Sequence, residues 1–140
     1  MKPESSITKF PDLGSELTFK IIESAIAVHK HFGPGLLENI YAECLAMELA
    51  DTGLAVKKQH VMPVTYKGKT LENAYRLDLW VEDKVVVEIK AADKLLPVHE
   101  AQILTYMRLT KSPLGLLINF NEKLLKDGIK RFALTDFVKE

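Results

Sequence analysis

Arg76-Leu77-Asp78-Leu79-Trp80-Val81-Glu82-Asp83-Lys84-Val85-Val86-Val87-Glu88-Ile89-Lys90 reads as two short strands around a polar turn. Apolar side chains alternate at period two, so Leu77, Leu79 and Val81 share one face, which Val85, Val87 and Ile89 join when the strands fold into a hairpin. That face is expected to be core. The opposite face then carries Asp78 and Trp80 on one strand and Val86, Glu88 and Lys90 on the other. A three-residue turn over 82–84 sets Asp78 directly opposite Glu88, with Cβ atoms about 5 Å apart.

Two carboxylates side by side repel unless something positive stands between them. A hard divalent cation fits, because Mg²⁺ is commonly held by one or two carboxylates together with waters and phosphate oxygens. Lys90 shares the face, where its ammonium can orient or help deprotonate a water and steady charge on a phosphate. The plain alternative is the wet face of an amphipathic hairpin, with Lys90 neutralising a neighbour. Trp80 and Val86 on the same face argue that it is covered, and a covered carboxylate pair needs a partner.

Outward from the hairpin, Val56 to Tyr66 is a third β-rich run, joined through Lys67-Gly68-Lys69 to a strand over Ala74 to Val81, so the three strands suggest an antiparallel meander. Two helices come first. Ser15 is an N-cap for a stripe of Leu17, Ile21, Ile22, Ala25, Ile26, Val28 and Phe32 that stops at Gly33-Pro34-Gly35, and a second helix runs from about Leu37 to Asp51 with Gly53 after it. In Gly35-Leu36-Leu37-Glu38-Asn39-Ile40-Tyr41, Gly35 allows a sharp turn with positive φ, Glu38 falls in the first helical turn, and Tyr41 lies one turn on. Glu38 is either a capping acid beside a core tyrosine or a third carboxylate over the hairpin. After the hairpin, Pro97 opens a helix to about Thr110, in which Gln102 and Tyr106 share a face. Leu114 to Phe120 is a continuous apolar run, as in a strand buried on both sides, and Ile129 to Leu134 adds a short strand before a terminal turn. The order is ααβββαβ with a short C-terminal element.

With 140 residues, 47% of them hydrophobic and 27% charged, the chain has the composition of one globular domain. We expect residues 1–14 to be a loosely ordered lead-in and 15–140 the domain. Nineteen basic residues balance nineteen acidic ones, which excludes a uniformly basic nucleic-acid binder and requires local patches such as Lys57-Lys58, Lys67/Lys69 or Lys123/Lys126/Lys130/Arg131. The lone Cys44, and the lack of a secretory or membrane-spanning apolar run, lead to the expectation of a soluble cytoplasmic protein. The histidines and Cys44 lack the paired spacing of zinc sites, His99 is placed where it can line a groove, and no phosphate-binding lysine loop is present.

Together, G-x-x-E-x-x-Y at 35–41, Asp78, Glu88-Ile89-Lys90, Gln102-x3-Tyr106 and Gly115 to Phe120 resemble the GxxExxY protein family of the PD-(D/E)XK nuclease superfamily, from about Leu17 to Phe132. Leu77 stands where the superfamily's name has proline. The resemblance implies an α/β (α+β) restriction-endonuclease-like core, a mixed sheet flanked by helices, with Asp78 and Glu88 as metal ligands and Lys90 as the catalytic lysine. It also implies that Glu38 is the helix-borne acid and that Gln102 and Tyr106 match the Q-x3-Y element of exonuclease and RecB-like branches. The expected activity is Mg²⁺- or Mn²⁺-dependent hydrolysis of DNA, with RNA less favoured, Glu38, Asp78, Glu88 and the Ile89 carbonyl holding metal. Nucleic acid is the expected partner, with a homodimer or a protein partner open. The alternative is a non-catalytic binding or scaffolding module of the same fold.

Overall fold

Alternation in the β-rich runs and helical spacing elsewhere are both realised. The computed structural model describes residues 12–134 and runs α1 (Asp12–Phe32), α2 (Glu38–Asp51), β1 (Val56–Tyr66), β2 (Lys69–Val81), β3 (Val85–Lys90), α3 (Pro97–Thr110), β4 (Leu114–Asn119), a 3-10 turn (Leu125–Gly128) and β5 (Ile129–Ala133). Most of the lead-in, and the expected terminal turn, lie outside the described residues.

The five strands form one sheet in chain order, antiparallel except for the β3–β4 pair, which is parallel. That pair lies inside the sheet. Every residue of β4, and all of β3 but Lys90, is buried, as parallel strands covered on both faces require. One core lies between the sheet and α1 with α2, built from residues such as Ile21, Tyr41, Leu45, Val87 and Ile118. A second lies under α3 on the other face, where Ile103 and Met107 meet Leu77, Val86, Leu117 and Phe132. Gly115 makes this approach possible, since a Cβ there would meet the Met107 Sδ at 2.5 Å.

Some of these elements differ from expectation in extent or burial. Helix α1 starts at Asp12 rather than after a Ser15 cap; the long stripe downstream carries Gly14 into the helix despite its cost of about 1 kcal/mol. Strand β2 begins at Lys69, five positions before Ala74, because Lys67 (φ 52°) and Gly68 (φ 76°) form a tight primed turn that pairs Tyr66 with Lys69. Phe32, the last residue of the expected α1 stripe, is 44% exposed, so this helix buries a narrower stripe than its apolar residues outline. His99 serves the helix itself: its Nδ1 accepts the Leu96 N–H at 3.0 Å and caps α3.

Candidate active site

The β2–β3 hairpin has the expected register, pairing Val81 with Val85, Trp80 with Val86 and Leu79 with Val87, so Asp78 and Glu88 come next. There the backbone ladder gives way to side chains. Glu88 Oε2 accepts the Asp78 N–H at 3.0 Å, and Asp78 Oδ2 accepts the Ile89 N–H at 2.8 Å. Each carboxylate thus binds the other strand's backbone and is fixed by it. Asp78 Oδ1 and Glu88 Oε1 enter no hydrogen bond among the described residues.

The expected alternation breaks at this point. Period two puts Leu77 on the face of Leu79 and Val81, but it packs with Val86 and Met107 in the core under α3, whereas Leu79 and Val81 pack under α1 and α2. Opposite the break, the β1–β2 pairs run Lys58 to Leu79 and His60 to Leu77, leaving Gln59 and Asp78 unbridged, and Gln59 has φ 50°. A left-handed residue disrupts the pleat, so the neighbours of Asp78 fall on opposite sides of the sheet. Asp78 is thereby turned to a cleft of about 510 Å³ that it lines with Leu36, Glu38, Ala42 and Ala91.

Glu88 is only 6% exposed. Burial, then the charge of Asp78, pushes its carboxyl up to about 8, although the Asp78 N–H and Lys90 pull the other way. Burial also raises Asp78, against the Ile89 N–H and the charges of Lys90 and Arg76. Lys90 is half-buried and lies within electrostatic reach of both acids.

Glu38, exposed at the start of α2, stands over the end of β3, where its Oε2 accepts the Ala91 N–H at 3.3 Å. Its charge raises the pKa of both Asp78 and Glu88. From the other face, Tyr106 is held above its ordinary pKa by burial and by the charges of Glu88 and Asp78. Gln102, one turn earlier, is exposed and makes no side-chain hydrogen bond among the described residues. Ile89 is buried and is tied to the site through its N–H. Four elements, α2, β2, β3 and α3, therefore bring Glu38, Lys90 and Tyr106 within electrostatic reach of Asp78 and Glu88.

Two further residues support the site, and of these Asn119 is not evident from the sequence as part of it. Asn119, fully buried, accepts the Ala92 N–H and donates to the Ala92 carbonyl, both at 3.0 Å, fixing the chain just past Lys90. Its signal is a lone amide in an otherwise apolar strand. Tyr41, read as core or as part of a motif, does both: its ring stacks on Phe120 at 4.4 Å, and its hydroxyl donates to the Gly33 carbonyl and accepts the Leu36 N–H. The turn that presents Glu38 hangs on that hydroxyl. Tyr41→Phe is expected to cost about 1–2 kcal/mol, since both hydrogen-bond partners of the hydroxyl are only partly buried, and to lower activity beyond that loss. Chemical denaturation followed by assay of the folded fraction checks both.

Among the described residues no three acidic, histidine or cysteine side chains enclose a metal by themselves. The donor set still suits a hard cation. It is all oxygen, Asp78 and Glu88 are held by backbone N–H groups, and Glu88 is buried at a cost that a positive ion would offset.

A family model for the PD-(D/E)XK nuclease superfamily matches residues 15–132. No curated protein matches the chain. Among solved structures, the crystal structure of SSO0001 is similar at 21% identity and a TM-score of 0.48, covering 87% of this chain and 64% of that one. This chain thus spans less than two thirds of that protein. No helix among the described residues is long and apolar enough to cross a membrane.

Proposed function

The chain belongs to the PD-(D/E)XK nuclease superfamily, and on that premise we propose that it hydrolyses the phosphodiester bonds of DNA with Mg²⁺ or Mn²⁺. The observation that carries this reading is the pair of half-buried Asp78 and buried Glu88, each clamped to the other's strand, with Lys90 beside them. A purely structural hairpin would gain nothing from burying two like charges.

Asp78 and Glu88 would hold the ion, with Glu38 and the Ile89 carbonyl as further oxygen donors. Once bound, such an ion neutralises phosphate charge and makes water acidic enough to attack at neutral pH. The protein groups do the rest. The Lys90 ammonium donates to a phosphate oxygen and steadies the charge that builds there. Tyr106 keeps its proton throughout the neutral range, since its pKa is raised, and donates a hydrogen bond to the same phosphate. Gln102, exposed on the same helix face, offers its amide to the neighbouring backbone of the substrate.

Incubating labelled single- and double-stranded DNA and RNA with Mg²⁺, Mn²⁺ or EDTA tests this. DNA products are expected with either metal and none in EDTA. Absence of cleavage under every condition would leave a non-catalytic binding module. Independently, Mn²⁺ is expected to raise the melting temperature of the wild type by several degrees and that of Asp78→Ala not at all, because only a fold that binds the ion is stabilised by it. An equal rise in both would remove Asp78 from the metal site.

A further inference from the structure

Strand β2 has 13 residues and β1 has 11, yet β3 has six and pairs only with Leu79 to Val81. Beyond that point β1 and β2 continue alone, from Met62 opposite Tyr75 to the turn at Lys67-Gly68. Residues 65–74 are all exposed, including Tyr66 at 67% and Leu71 at 58%. A two-stranded ribbon standing in water is only marginally stable, so an arm of this length is not explained by the core.

The arm is anchored beside the site. At its base the Tyr75 and Tyr106 rings meet edge to face at 5.5 Å, and Arg76 bears electrostatically on Asp78. Its charge is also one-sided. Between residues 61 and 76, Lys67, Lys69 and Arg76 face a single acid, Glu72, whereas Lys57 and Lys58 nearer the sheet are paired with Asp83 and Glu43. No ion pair engages Lys67 or Lys69 among the described residues. The projecting tip thus presents two lysines outside any ion pair, with the Lys67 ammonium 5.5 Å from the centre of the Tyr66 ring.

Four residue steps from Met62 to Tyr66, across a register shift between Met62 and Val64, carry the tip at most about 13 Å outward at about 3.3 Å per step. The major groove of B-DNA is about 12 Å wide and 8.5 Å deep and admits a two-stranded ribbon. The A-form major groove of duplex RNA is deep and too narrow for side chains. Resting on the nuclease reading above, we infer that the 62–75 ribbon is a duplex-DNA arm, which enters the major groove with Lys67 and Lys69 on the flanking phosphates and so directs the site to double-stranded DNA.

The test measures binding in EDTA by fluorescence anisotropy, using the full chain, a short DNA duplex, an RNA duplex of the same sequence and one DNA strand alone. Wild type is expected to bind the DNA duplex most tightly. Lys67→Ala/Lys69→Ala is expected to weaken that binding by about 10-fold and to make the log–log salt dependence shallower by about 2, one for each phosphate that the variant no longer neutralises. Both side chains stand in water, so the variant's melting temperature should match wild type and confirm that it folds. Equal affinities and slopes for the two proteins would overturn the inference. So would an equal loss on the single strand, which would make the tip a general phosphate-binding surface, or a wild-type dimer that the variant turns to monomer in light scattering, which would assign the ribbon to a second copy. Cleavage in Mn²⁺ is a separate readout, so failure of the nuclease reading and failure of the arm are distinguishable.

Discussion

Glu88→Gln is expected to abolish metal-dependent cleavage and at the same time to make the metal-free protein more stable at pH 8. The amide is nearly isosteric, and its oxygen can still accept the Asp78 N–H that Glu88 Oε2 accepts now. It cannot carry the negative charge a cation needs. Loss of an electrostatic group at a reacting phosphate costs on the order of 10²–10³ in rate, and Lys90→Ala is expected to match it without the gain in stability.

The stability half follows from linkage. The Glu88 carboxyl is raised in the folded protein from 4.5 to about 8, so the folded state holds the proton more tightly than the unfolded chain does. Its contribution is therefore fully present below about pH 4.5 and is lost as pH climbs through about 8. Metal-free wild type should melt progressively lower across that window, and Glu88→Gln should remove most of the slope. For a pair this strongly interacting, about 2–4 kcal/mol at pH 8 is the expected scale. Divalent ions should reverse the trend for wild type, because they displace the same proton and bind more tightly as pH rises. Thermal melts at several pH values with and without Mn²⁺ check this. A Glu88→Gln variant that melts below wild type at pH 8, or that still cleaves, would refute it.

Phe120→Ala is expected to cost about 3–5 kcal/mol, the range for truncating a buried aromatic. Phe120 is fully buried where β4 ends; its ring stacks on Tyr41 and lies 6.3 Å from His29, and its N–H donates to the Lys90 carbonyl at 2.8 Å. Removing the ring opens a void between α1, α2 and the sheet. It also frees Tyr41, and with it the turn before Glu38, so the folded variant should be slower as well as weaker. Urea titration should show a lower midpoint at an unchanged slope; a loss under about 1 kcal/mol, below the range for a buried aromatic, would show that the ring is not a keystone of this core.

Much of this architecture is legible because it depends on local periodicity. The hairpin register, the buried β4 run, Pro97 opening α3 and Gly35 in a left-handed turn each follow from residues within one turn or strand of one another. The opposition of Asp78 and Glu88 follows from counting across a three-residue turn. The full span of β2 is not legible in the same way, because its outer half, Lys69 to Asn73, lacks apolar alternation and is held only by its partner strand and the Lys67-Gly68 turn.

What the sequence determined by itself was the order of elements, the pairing of β2 with β3 and the presence of two carboxylates and a lysine on neighbouring positions. Only the tertiary structure decided which side of the sheet Leu77 takes, since that turns on the left-handed Gln59 in another strand. It also decided that the two carboxylates bind each other's backbone, and that Asn119 and Tyr41 brace the chain around them. The physical reason is range. Periodicity is written residue by residue, whereas a broken pleat, a desolvated charge and a brace from a distant strand exist only when chain segments tens of residues apart are packed together.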